Sequence, residues 1–175
     1  MNPKDFIYEI DAIFNEKECL ELITRGDHEG WEFIDSGIAN YHRSIFIDAN
    51  LANIINTKIK HLLPTYFNGE RIIKINDYFR MSKYTKNGRF EIHKDGINTD
   101  KDGNRACMTL NIFLNIPEKG GGTIFYTDEK TLLKNVRPKK GRGTLFYNQI
   151  YHEGEVVEKG QKYLLRTDVM SNLLF

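Results

Sequence analysis

Tyr84-Thr85-Lys86-Asn87-Gly88-Arg89-Phe90-Glu91-Ile92-His93-Lys94-Asp95 carries the end of one β run, a glycine turn, a second β run and a polar terminus. Tyr84 closes a run that starts at Tyr78, and Phe90–His93 forms the next. In an extended strand alternate side chains share a face, so His93 and Asp95 reach toward one point while Lys94 faces away. One imidazole and one carboxylate are two of the three ligands in the facial triad of a non-haem ferrous site. His-x-Asp alone is common, and its ordinary reading is a surface pair at a strand end. A third ligand has to come from a distant strand. His152, inside the polar stretch Tyr151-His152-Glu153-Gly154, is the candidate.

Working outward, the chain from Arg71 onward is a series of short β runs between glycine-rich turns. Strands are expected near Ile72–Ile75, Tyr78–Tyr84, Phe90–His93, Ala106–Leu114, Thr123–Tyr126, Leu132–Val136, Thr144–Tyr147, Glu155–Val157 and Lys162–Met170. Such spacing predicts a sandwich, barrel or jelly roll. Residues 1–70 read as helical with short strands. Asn15 with Glu18 has the form of a capping box, and Ile45–Ile47 reads as a short strand. Asp48 heads a second helix on which Leu51, Ile54, Ile55, Ile59, Leu62 and Leu63 recur at helical spacing until Pro64. The expected fold class is therefore mainly β with an α+β character. The expected organisation is one domain over 1–175, with 1–70 a helical support and 71–175 the β core.

Composition is that of an ordinary globular chain: 175 residues, 40% hydrophobic, 28% charged, net charge +1. Near-neutrality gives no global pull toward nucleic acid or an anionic membrane, so neither is an expected partner. Cys19 and Cys107 are too few for a disulfide framework. No apolar stretch approaches the ~20 residues of a membrane span, and the start of the chain does not read as a signal peptide. A cytoplasmic location is the expectation.

The second polar stretch is followed by Lys162, ten residues after His152 and at the start of a strand. A hairpin return would bring this lysine back over the metal, where it can form a charge-assisted bond to the distal carboxylate of a 2-oxo acid. Buried without an anion it would be costly. Lys162, Leu164, Arg166 and Asp168 share a face by alternation, so Arg166 is either a second carboxylate partner or the ion-pair mate of Asp168; Lys162 is preferred for the cofactor. Arg80 shares a face with Tyr84, with a structural ion pair ranked ahead of a substrate contact. Asn98-x-Asp100-x-Asp102-Gly103 imitates the start of a calcium loop but has Thr109 at the twelfth position. Residues 96–104 read instead as a solvated loop and a candidate lid. Lys139-Lys140-Gly141-Arg142 reads as a solvated basic turn.

Together these residues carry a resemblance. Tyr84 to Asp95, Thr109-Leu-Asn-Ile-Phe-Leu-Asn115, Gly121-Gly122-Thr123-Ile-Phe125 and Gly143-Thr-Leu-Phe146 are matched in order and spacing. So is His152-Glu-Gly154 running to Gly160-Gln-Lys162-Tyr-Leu-Leu-Arg166-Thr-Asp168. From about residue 10 to the end the chain resembles a 2-oxoglutarate/Fe(II)-dependent oxygenase of the prolyl 4-hydroxylase-like group. The resemblance implies a double-stranded β-helix, a cupin-like jelly roll, with His93, Asp95 and His152 as iron ligands and catalytic centre. It implies Lys162 and Tyr84 at the distal carboxylate of 2-oxoglutarate and Thr109, Asn111 and Phe113 along the pocket floor. Phe113 stands where some relatives have tyrosine, and Phe90 where several prolyl hydroxylases have one near the substrate.

The cofactors so implied are Fe(II), 2-oxoglutarate as co-substrate and O2, with ascorbate as an accessory reductant. The implied reaction is hydroxylation of a C–H bond with release of succinate and CO2. A prolyl residue of a peptide or protein is the favoured substrate, and a free amino acid or other small molecule the next. A non-catalytic 2-oxoglutarate- and metal-binding jelly roll is the rival from another class.

Overall fold

Strand register answers the β pattern directly. The computed structural model describes residues 6–128 and 130–172. It opens with β1 (Ile7–Ile10), α1 (Glu16–Glu29), β2 (Glu32–Ser36), β3 (Ala39–Ile47), α2 (Ala49–Ile59), β4 (Tyr66–Phe67) and β5 (Glu70–Ile75). The core follows as β6 (Tyr78–Tyr84), β7 (Arg89–His93), β8 (Arg105–Phe113), β9 (Lys119–Gly120), β10 (Thr123–Tyr126) and β11 (Leu132–Val136). It ends with β12 (Gly143–Tyr147), β13 (Tyr151–Gly154), β14 (Val157–Lys159) and β15 (Lys162–Asn172).

Two antiparallel layers carry the site. One runs β12-β8-β15-β6 and the other β7-β13-β10-β11, with β3 pairing to both β6 and β7 along one side. The chain crosses between the layers from β6 to β7, β8 to β10, β11 to β12 and β13 to β15, with β10 and β11 a hairpin inside the second layer. That winding is a double-stranded β-helix.

Alternation sorts the side chains of the larger layer. Phe79 and Met81 of β6, Leu110 and Ile112 of β8 and Leu165 of β15 face the helices and are fully buried with Ile55 and Ile59 of α2 and Cys19 of α1. Each large side chain buried this way contributes about 1.5–3 kcal/mol. The opposite face holds Arg80, Ser82 and Tyr84, then Thr109, Asn111 and Phe113, then Lys162, Leu164 and Arg166, all turned into the barrel. A second apolar cluster of Phe113, Phe125, Val136, Phe146, Ile150 and Leu164 plugs the barrel below the polar layer.

Both helix starts follow from their caps. Asn15 Oδ1 accepts from Glu18 N at 2.9 Å while Asn15 N donates to Glu18 Oε2 at 2.7 Å, and Asp48 Oδ1 accepts from Leu51 N at 2.8 Å. α2 ends at Ile59, earlier than the apolar spacing suggests, and Leu62 beyond it is 45% exposed. The stretch from Trp31 is more β than its composition implies. β2 and β3 form a full hairpin, and β3 pairs with β6 over six positions where only Ile45–Ile47 was expected to be extended. The polar stretch around His152 is likewise a strand, β13, and a separate short strand, β14, follows it.

The 96–104 loop is pinned. Asn98 Nδ2 donates to Asp168 at 3.1 Å, Ala106 N to Asn98 O at 2.8 Å, and Lys74 bridges Asp100 and Asp102 at 2.9 and 3.0 Å. The basic turn after Val136 is neutralised: Lys139 and Arg142 pair with Asp11 at 2.7 Å, and Lys140 pairs with Glu16. Among the described residues no helix is long and apolar enough to cross a membrane.

Candidate active site

His93 at the end of β7 and His152 in β13 are direct partners in the ladder, which brings their rings to 4.3 Å between centroids. Asp95 follows two residues after His93. Its backbone is held by Asp95 N donating to Asn148 O at 3.0 Å and by Gln149 Nε2 donating to Asp95 O at 2.9 Å. His93 Nε2 then lies 3.7 Å from Asp95 Oδ1, and His152 Nε2 lies 3.6 Å from Asp95 Oδ2. The three donor atoms are all within 4.8 Å of one another.

Both imidazoles are aimed by their other nitrogen. His93 Nδ1 meets Glu91 O at 2.7 Å and His152 Nδ1 meets Ile150 O at 3.0 Å. A nitrogen against a carbonyl carries the hydrogen, so each Nε2 presents a lone pair to the centre. Burial and the neighbouring His152 hold His93 down to about 4, which keeps it neutral at pH 7. Burial pushes the Asp95 carboxyl up, but Arg166, His152 and a 2.6 Å hydrogen bond from Thr109 Oγ1 outweigh it, and Asp95 stays anionic. Two neutral nitrogens and one anionic oxygen on one side of a point are the donor set a divalent ion such as Fe(II) fits.

The far end of the pocket holds a buried cation with no anion beside it among the described residues. Lys162 is 1% exposed, and among the described residues its Nζ has one hydrogen-bond partner, Gly122 O at 3.4 Å. Glu155, whose charge acts on it, is engaged by Gly122 N at 2.9 Å and by Arg137. Burial lowers the Lys162 ammonium to about 7. Tyr84 lies opposite in the β15–β6 ladder, and burial raises its phenol. An incoming carboxylate would meet two donors there.

Thr109, Asn111 and Phe113 share one face but do three different things. The Thr109 hydroxyl is committed to Asp95, Asn111 lines the pocket with its Oδ1 buried and unpartnered, and Phe113 packs in the apolar plug. Arg166 lines the same pocket as Lys162, and its Nη1 contacts Asp95 Oδ1 at 2.7 Å. Phe90 stacks on the His93 ring at 3.7 Å with planes 10° apart, and this fixes the orientation of the imidazole.

Thr123, Ser82 and Tyr41 line the same pocket and were not foreseen. Tyr41 stacks between Tyr84 and Phe90, 5.2 and 5.8 Å between centroids. Its position depends on the β2–β3 hairpin, and no local motif marks it. Thr123 stands within the Gly121–Phe125 stretch, whose glycines were the available signal.

A family model described as the 2OG-Fe(II) oxygenase superfamily matches residues 79–167, which span β6 to β15 and all the residues above except Tyr41. The chain belongs to that superfamily. It is a 2-oxoglutarate-dependent dioxygenase, and its cofactors are Fe(II), 2-oxoglutarate and O2. Among curated proteins no sequence matches it. Among solved structures this dioxygenase is similar to a viral collagen prolyl hydroxylase from Paramecium bursaria Chlorella virus-1 in complex with 2-oxoglutarate. That likeness has a TM-score of 0.73 at 23% identity and covers 95% of this chain and 97% of the other. A Pseudomonas putida prolyl-4-hydroxylase gives 0.68 at 15% identity, covering 95% and 92%. A Trichoplax adhaerens prolyl hydroxylase bound to a hypoxia-inducible-factor peptide gives 0.72 at 15% identity, covering 94% and 83%. The shared property at these identities is the prolyl hydroxylase-like double-stranded β-helix.

Proposed function

We propose that this dioxygenase hydroxylates a C–H bond of a prolyl residue in a peptide or protein, with release of succinate and CO2. The reading of the site rests on one observation above all: a fully buried lysine, with no counter-anion among the described residues, stands in the same barrel as a preformed two-histidine, one-carboxylate triad. Burying an ammonium is unfavourable unless an anion completes it. The prolyl preference is supported by the solved relatives, which are named for collagen and hypoxia-inducible-factor peptides.

In this reading His93, Asp95 and His152 hold the iron, which supplies dioxygen activation when bound together with 2-oxoglutarate. Lys162 and Tyr84 receive the distal carboxylate, and Asn111 and Thr123 line the path between them and the metal. Thr109 and Arg166 hold Asp95 in its ligating rotamer. Phe113, Phe125 and Phe146 keep water from below. Residues 1–175 act as one domain, with α1 and α2 covering the outer face of the larger layer.

Succinate release from 2-oxoglutarate in the presence of Fe(II), ascorbate and a panel of proline-containing peptides tests the proposal. A peptide that stimulates succinate release and gains 16 Da at proline supports it. Robust 2-oxoglutarate binding without turnover on any member would favour a binding protein instead.

A further inference from the structure

Arg80 and Arg166 are direct cross-strand partners in the β6–β15 ladder, and both face the barrel interior. Like charges placed opposite each other oppose pairing, so this arrangement calls for anions. The two available are Asp95 and Asp168. Asp95 takes Arg166 Nη1 at 2.7 Å. Asp168, fully buried, takes Arg80 Nη1 at 3.3 Å, Asn98 Nδ2 at 3.1 Å and Arg166 Nη2 at 3.5 Å. The contacts of Asp168 with both arginines are long, and Arg166 Nε is buried with no partner among the described residues. The pair has donor capacity left over.

Charge leads to the same place. Two guanidinium groups and two carboxylates balance in the metal-free barrel. Asp95 is also a metal ligand, so a divalent ion adds two positive charges without bringing a new carboxylate. The metal-proximal carboxylate of 2-oxoglutarate cancels one of them, its distal carboxylate being matched by Lys162. One positive charge remains beside the metal.

Space leads there as well. The metal pocket is narrow, ≈ 50 Å³, while a cleft of ≈ 470 Å³ opens between β5–β6 and the pinned 98–101 loop. Arg80 borders both. Lys74 on the cleft wall is already bridged to Asp100 and Asp102.

We propose that Arg80 and Arg166 form a receptor for a carboxylate carried by the substrate, which enters through the cleft and places that carboxylate beside its reacting carbon. The inference rests on the dioxygenase reading above and names the chemistry of its substrate. An α-carboxylate of a free amino acid and an acidic residue next to the target in a peptide supply the same group. Guanidinium forks bind either one bidentately.

The test uses two matched pairs of probes on the zinc-loaded, 2-oxoglutarate-bound protein, where no turnover occurs. One pair is L-proline and L-prolinamide; the other is a proline pentapeptide with glutamate or glutamine beside the proline. The 2-oxoglutarate affinity is measured first by calorimetry, then each probe. We expect the acid of one pair to bind at least ~10-fold more tightly than its amide, as suits a charge-assisted bidentate contact. Arg80→Gln removes the preference and Arg80→Lys restores part of it. The proline pair responding identifies a free amino acid, the pentapeptide pair an acidic peptide. Equal or absent binding of acid and amide in both pairs overturns the receptor, as does a preference that survives Arg80→Gln. Loss of 2-oxoglutarate affinity in Arg80→Gln in place of the preference also overturns it. Absence of 2-oxoglutarate binding to the wild type sinks the reading of Lys162 separately; the matched pairs are then titrated into the zinc-loaded protein alone, where the same acid preference and its loss in Arg80→Gln still decide the arginines.

Discussion

Lys162 Nζ sits 4.7 Å from the centre of the Tyr84 ring, the two residues facing each other in the β15–β6 ladder. The ring face offers the ammonium a partial counter-charge but no full one. In the ligand-free protein the ammonium titrates at about 7, against 10.5 for an ordinary lysine. The unfolded chain therefore binds one more proton between those two values, and stability rises with pH across that window. Lys162→Met should flatten the rise and stabilise the ligand-free protein near pH 7 by a few kcal/mol, about what a shift of this size represents. Thermal unfolding of both proteins from pH 7 to 10.5 checks it.

The same residue predicts proton uptake. A bound carboxylate returns the ammonium to its charged form, so 2-oxoglutarate should bind with uptake of about one proton at pH 8. Its affinity should fall roughly tenfold per pH unit above about 7. Calorimetry in buffers of different ionisation enthalpy reads the uptake. Lys162→Met should abolish the effect and weaken 2-oxoglutarate at least ~100-fold, the loss of a buried charge-assisted contact.

Thr109→Val tests the support of Asp95. The hydroxyl donates at 2.6 Å to the carboxylate oxygen that faces His152. Removing it should weaken Mn(II) or Co(II) binding ~10–100-fold, the usual effect of losing a partner behind a metal ligand. Stability should drop only ~1–2 kcal/mol. An unchanged metal affinity would assign Thr109 to packing alone.

Gly121 has φ +78°, and a Cβ there would meet Pro117 Cγ at 2.8 Å and Lys162 Cδ at 3.3 Å. Gly121→Ala should cost ~1–3 kcal/mol through backbone strain and crowding. It should also weaken 2-oxoglutarate binding more than metal binding, because one of the two crowded atoms belongs to Lys162 and neither to the metal triad. Paired titrations of metal and 2-oxoglutarate separate the two effects.

Much of the site was readable because its chemistry repeats local rules. His93 ends β7 and Asp95 follows two residues on, as extended alternation predicts, and the capping pairs Asn15–Glu18 and Asp48–Leu51 announce both helices. What stayed hidden depends on pairing between distant strands. Tyr151-His152-Glu153-Gly154 has no apolar alternation, and it is extended because β10 and β7 flank it with complementary edges. Residues 32–43 are largely polar, yet β3 is fixed by β6 and carries Tyr41 into the pocket. Thr109 and Arg166 look like pocket residues from their strand face. Only the three-dimensional position of Asp95 turns them into its partners.

The most direct measurement is succinate formation from 2-oxoglutarate under air with Fe(II), for the wild type beside His93→Ala, His152→Ala and Lys162→Met. The account predicts turnover in the wild type and losses of at least ~100-fold in each variant, with metal affinity lost in the histidine variants and retained in Lys162→Met. Undiminished turnover in His93→Ala or Lys162→Met would contradict it.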